Sequence, residues 1–188
     1  MTKSDLMNLS KKYLIVNYNV ACKLHDGKIM AIALPAFENE LEFKHFAVHQ
    51  DDDALYLQMF DENGALIKQV KSHYTADNYV YVREPYFVQD GEVKYYADFC
   101  PGNYFITEKL TQGKFMKKIY SRTYLHIKCV SCRRFSEINP QELSKLGFDS
   151  VLDYADFYDT ELGEEKYDKF KSYNNPYVFY YEFEVLTV

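Results

Sequence analysis

Residues 177–185 read YVFYYEFEV. Successive side chains of an extended chain point to opposite faces, so Tyr177, Phe179, Tyr181, Phe183 and Val185 share one face, while Glu182 and Glu184 take the other. This pattern predicts a closing strand with one side buried. Similar runs stand upstream: YLIVNY at 13–18, IMAIALPAF from 29 to a break at Pro35, YVYVR at 79–83, VKYYAD at 93–98 and a further strand over 122–130. The segments LYLQMF and ALIKQV flank Asp61-Glu62-Asn63-Gly64, which predicts a hairpin with Asn-Gly supplying positive φ angles.

Helix signals are fewer and shorter. Asn19 is read as the N-cap of VACKLHD, with Gly27 as a left-handed terminator. Asn139, Pro140 and Glu142 form a helix start with a capping box, Ile138 and Leu143 a hydrophobic staple, and Gly147 the end. A second helix is predicted from Glu164 to Tyr173, closed by Pro176. Many short strands with a few short helices define an α+β domain around a sheet or barrel.

Composition sets the outer limits. The 188 residues are 47% hydrophobic and 27% charged, enough apolar surface for a core, which excludes a wholly disordered chain. No apolar run reaches the roughly 18 residues of a membrane-spanning helix. The opening residues lack a basic start followed by an apolar run, so no secretory signal is expected, and the reading is a cytoplasmic protein. Cys22, Cys100, Cys129 and Cys132 are expected to stay reduced. Cys129 and Cys132 form a C-x-x-C with no second pair of ligands, on a strand that turns residues three apart to opposite faces. No metal is expected.

The net charge of −6 hides a segregated pattern. Residues 109–134 hold eight basic side chains and no acidic one: Lys109, Lys114, Lys117, Lys118, Arg122, Lys128, Arg133 and Arg134. Residues 149–165 hold seven acids and no base. A basic stretch beside aromatic strands is the electrostatic footprint of a polyanion site. The acidic stretch, with its interspersed Tyr and Phe, offers a surface for a protein partner.

From residue 81 onward the order of features resembles the phage- and prophage-type branch of the ASCH domains, within the PUA-like superfamily. Val82-Arg83-Glu84-Pro85-Tyr86 is similar to that branch's V-R-E-T-W, and Tyr95-Tyr96-Ala97-Asp98 to its Y-R-A-D. Met116-Lys117-Lys118-Ile119-Tyr120-Ser121-Arg122 is similar to M-P-K-W-A-S-R, and Asn175-Pro176-Tyr177-Val178-Phe179 to N-P-W-V-W. The strand after Arg122 and the helix from Phe135 to Phe148 also fall in family order. The resemblance implies an α+β, PUA-like small β-barrel with short flanking helices. It implies a single domain over 1–188, with a variable insertion at about 36–78. The first half departs from the pattern: at Gly27-Lys28-Ile29-Met30 the lysine stands one place early, and the threonine and arginines of the family motif are absent.

The resemblance implies a cofactor-free protein that takes RNA, a single-stranded nucleic acid or a nucleotide, with a modified base among the candidates, into a cleft. Tyr86, Tyr96 and Tyr120 are the candidate stacking faces; Lys117, Lys118 and Arg122 are the phosphate partners. Arg83 and Glu84 are placed to read base edges or ribose, and Ser121 to donate to a phosphate oxygen. Some relatives hydrolyse an acyl group from a modified cytidine. An enzyme of that kind would use Lys28 and Glu84 as its catalytic pair, and the two would have to converge in a cleft. A phage-derived interaction module built on residues 149–165 is the third reading.

Overall fold

The computed structural model describes residues 1–36, 45–51, 54–99, 109–162 and 170–188. Its contacts divide the chain into two compact units. The first comprises Met1–Met30, Asp77–Ile127 and Phe183–Val188, the second Ala31–Ala76 and Lys128–Glu182. The fold is α+β and is built on a mixed five-stranded sheet, strongly curled as a half-barrel. Its strands, in spatial order, are β1 (Lys12–Ile15), β6 (Tyr79–Arg83), β9 (Thr123–Arg134), β10 (Tyr177–Thr187) and β2 (Ala31–Pro35). The edge strands are β1, four residues long, and β2, which ends at Pro35.

In the first unit, β1 pairs in parallel with β6, and β6 antiparallel with β9. Helix α1 (Lys3–Leu9) starts at a capping box in which Thr2 and Asp5 satisfy each other's backbone N–H groups. Helix α2 (Tyr18–His25) begins earlier than the sequence reading placed it. Its cap is Asn17, not Asn19, because the Asn17 side-chain oxygen Oδ1 accepts from the Val20 N–H at 2.9 Å. Gly27 ends it in the left-handed region (φ 67°), and Lys28 N–H bonds back to the Lys23 carbonyl. The hairpin of β7 (Tyr86–Gln89) and β8 (Glu92–Tyr95) turns on Asp90 and Gly91, both at positive φ. Sequence reading missed β7, and it extended β8 through Asp98, where a single turn of 3₁₀ helix stands instead.

In the second unit, β3 (His45–Gln50), β4 (Leu55–Phe60) and β5 (Leu66–Lys71) form an antiparallel meander within the expected insertion. Its β4–β5 turn uses positive φ only at Gly64; Asp61 instead holds the turn, accepting from the N–H groups of Asn63 and Ala65. Helix α3 (Pro140–Lys145) starts as read, with Asn139 accepting from Gln141 and Glu142 N–H. Helix α4 (Val151–Leu162) carries most of the acidic stretch and buries Tyr154 and Tyr158 against Phe135 and Tyr180. Residues 164–169 of the expected second helix lie outside the described residues, and Ser172–Asn174 form a 3₁₀ turn. Val178 to Tyr181 are buried on both faces of β10, so the strand's alternation is diluted at its first half.

One glycine sets the path of the basic segment. A Cβ on Gly113 would stand 2.6 Å from the Arg83 carbonyl oxygen, so the chain can press against the end of β6 only without a side chain. Gly113→Ala is expected to destabilise the protein by about 1–3 kcal/mol, since backbone rather than a flexible side chain must move. Urea unfolding checks this; an unchanged midpoint would mean that the segment relaxes freely.

Candidate functional site

The residues flagged in the sequence sort into an inward cluster and an outward face, both within the first unit. Glu84 follows β6 directly and is 1% exposed. A buried carboxylate must be paired or protonated. Arg122, just before β9, supplies the pair: Nε lies 3.0 Å from Oε1 and Nη2 3.1 Å from Oε2, a bidentate fork. The remaining Nη1 of Arg122 donates to Asp98, and its guanidinium lies 3.9 Å from the centre of the Tyr95 ring. Tyr95 in turn donates its hydroxyl to the Tyr120 carbonyl. His25, in the last turn of α2, places Nε2 3.4 Å from Glu84 Oε1 and 3.5 Å from the buried Thr123 hydroxyl.

Burial alone pushes the Glu84 carboxyl up. The hydrogen bonds and charges of His25 and Arg122 outweigh it and hold the group below the usual glutamate range. Glu84 is therefore an ionised anchor with both oxygens engaged. It is poorly suited to act as a base, which needs a proton affinity near the working pH.

The outward face begins one residue earlier. Arg83 stacks its guanidinium 3.9 Å from the centre of the Tyr13 ring, donates to the Tyr81 hydroxyl at 2.9 Å and to the Lys114 carbonyl at 3.3 Å. Tyr13 itself is 45% exposed. Lys118 donates to the Ser10 carbonyl and lies 5.3 Å from the Tyr81 ring centre. Phe115 is 66% exposed, with Lys114 Nζ 5.1 Å from its ring centre and Ile119, also exposed, four residues on. Lys109, Lys114 and Lys117 are exposed.

The other expected site residues are placed differently. Ser121 is fully buried and donates to the Val82 carbonyl, with the Thr123 carbonyl also within reach, so its hydroxyl serves the backbone. Tyr86 is buried, its ring 5.8 Å from that of Tyr120. Tyr96 is half-buried and meets Tyr18 edge-on at 5.4 Å. Lys28 pairs with Asp26 at 2.6 Å, and no hydrogen bond or ion pair among the described residues joins it to Glu84. Sequence reading did not single out His25, Asp98, Thr123, Tyr13 or Phe115. For Phe115 a signal existed, an aromatic residue between two lysines in a stretch without acids; for His25 there was none.

Among the described residues, no group of three or more His, Cys, Asp or Glu is placed to hold a metal ion. Cys129 is exposed on β9, and burial pushes the Cys132 thiol up to about 12. No helix among the described residues is long and apolar enough to cross a membrane. No protein-family model matches the chain, and no match is found among curated proteins or solved structures.

The clamp has a consequence for acid stability. Because the native Glu84 pKa lies below its unfolded value of about 4.3, the unfolded chain takes up the proton first as pH falls. The stabilisation is full above that value and is lost as pH drops through the native pKa. Glu84→Gln is expected to flatten this part of the acid limb in urea midpoints measured from pH 6 down; an unaltered limb would contradict the assignment. Arg122→Ala strands a buried charge and is expected to destabilise by about 3–5 kcal/mol at neutral pH.

Proposed function

We propose that this chain is an ASCH-type, PUA-like domain that binds single-stranded nucleic acid, RNA in the first instance, through the outward face of the first unit. The observation that carries this reading is Phe115, a phenylalanine two-thirds exposed beside Lys114 in a stretch of eight bases and no acid. An exposed ring gives a base a stacking partner, worth roughly 1–3 kcal/mol per base. Lys109, Lys114 and Lys117 supply cations for phosphates, and the Arg83–Tyr13 stack extends the cationic, aromatic surface. Arg122 and Ser121 fall outside this reading, because their polar groups are directed at Glu84, Asp98 and backbone carbonyls.

The amidohydrolase alternative asks Lys28 and Glu84 to act together. Lys28 is tied to Asp26, and both Glu84 oxygens are held by Arg122, so binding is the better-supported activity. The interaction-module alternative would use α4, whose Asp159 already accepts from the Ser172 N–H and hydroxyl.

Fluorescence anisotropy with a labelled single-stranded RNA across a salt series tests the proposal. Removing two phosphate contacts in Lys114→Ala/Lys117→Ala is expected to reduce the log–log salt slope by about 1.4. Phe115→Ala is expected to weaken binding about tenfold or more at every salt concentration, with the slope unchanged. Wild-type failure to bind at low salt, or wild-type affinity in both variants, would overturn it.

A further inference from the structure

The second unit contains a cavity of about 510 Å³ that the reading above does not use. Its apolar side is formed by Leu34 at the end of β2, Phe179 on β10 and Phe170; both phenylalanines are buried. β5 and the chain just after it contribute Lys68, Lys71 and His73 to the lining. Among the described residues that line it there is no Asp or Glu.

Lys68 is the informative member. In the meander Leu57 is paired with Val70 and Met59 with Lys68, and directly opposed residues share a face. Leu55, Leu57 and Met59 form the buried face of β4. Lys68 therefore stands on the apolar face, half-buried, beside a wholly buried methionine. Among the described residues no carboxylate pairs with it. An ammonium in that position needs a counter-charge or a route to water. Lys71, opposed to Tyr56 on the other face of β5, and His73 also border the cavity. The His73 N–H donates to the Tyr181 hydroxyl, and Lys71 Nζ lies 5.5 Å from the Tyr56 ring centre.

We propose that this cavity binds a small amphipathic monoanion, an aliphatic or aromatic carboxylate whose apolar body lies on Phe170, Phe179 and Leu34 and whose head meets Lys68. The volume is in the range of small-molecule sites, roughly 300–1,000 Å³, and a lining that joins buried phenylalanines to the Lys68 ammonium matches a ligand with one charged end. The site is independent of the nucleic-acid face. Each stands or falls alone, since the residues of the two are different.

The test uses the full chain with anilinonaphthalene sulfonate as a fluorescent probe, displaced by octanoate or by octan-1-ol. Saturable probe binding is expected, with octanoate displacing it at lower concentration than octan-1-ol. Lys68→Met keeps the apolar stem and removes the charge, and is expected to weaken octanoate about tenfold while leaving octan-1-ol unaffected. Leu34→Trp fills the cavity and is expected to abolish displaceable binding while far-ultraviolet circular dichroism is retained. Equal displacement by acid and alcohol, or unchanged octanoate affinity in Lys68→Met, would overturn the proposal and leave Lys68 as a lysine that guards a sheet edge. Failure of the wild-type chain to bind the probe, or unchanged binding in Leu34→Trp, would overturn it as well.

Discussion

A carboxylate that is 1% exposed has few options, and the Glu84 environment shows how this chain resolves the constraint. Arg122 meets both oxygens, His25 approaches one of them, and Asp98 takes the remaining arm of the arginine. Four pieces of chain thereby converge: the exit of β6, the entry of β9, the last turn of α2 and the 3₁₀ turn after β8. None of these contacts lies within a regular ladder. They fix where β6 stops and where the next residues turn outward, and a buried pair of this kind is costly to break on one side only.

The outward face follows from that anchoring. Arg83 and Glu84 are neighbours with opposite assignments. One stacks on Tyr13 at the surface and the other is sealed beneath it. The same division runs through 114–122. Lys114, Phe115 and Lys117 stand outside, Met116 and Ser121 are buried, and Arg122 turns in to the clamp. Gly113 lets this segment lie directly on the β6 backbone. The interior ion pair thus lies beside an exposed set of cations and rings, the surface on which the proposed nucleic-acid binding rests.

Much of the fold could be read because the relevant signals are local. The Asn139-Pro140-Glu142 start names its own geometry, and the alternation and β-branched or aromatic content of β6, β9 and β10 mark strands. The Asp90-Gly91 turn, and β7 with it, is equally legible from its Asp-Gly pair. Asn17 and Asn19 are both good caps in isolation, and only the end of β1 at Ile15 decides between them. The site was harder to read for a different reason. Sequence locates charges but not their partners: Arg122 looked like a phosphate ligand because its 38-residue-distant partner Glu84 is invisible along the chain. His25 joins the cluster through tertiary placement alone, and Lys68 is an ordinary surface lysine until its register opposite Met59 is known.

The most direct test of the central claim, that the clamp is structural and the face outside it binds, is a map of amide chemical-shift changes as the labelled chain is titrated with a single-stranded oligonucleotide. Shifts are expected to concentrate on Tyr13, Arg83 and residues 109–119, with α4 undisturbed. Shifts centred on His25, Glu84 and Arg122 would instead make the buried cluster the site and contradict this assignment.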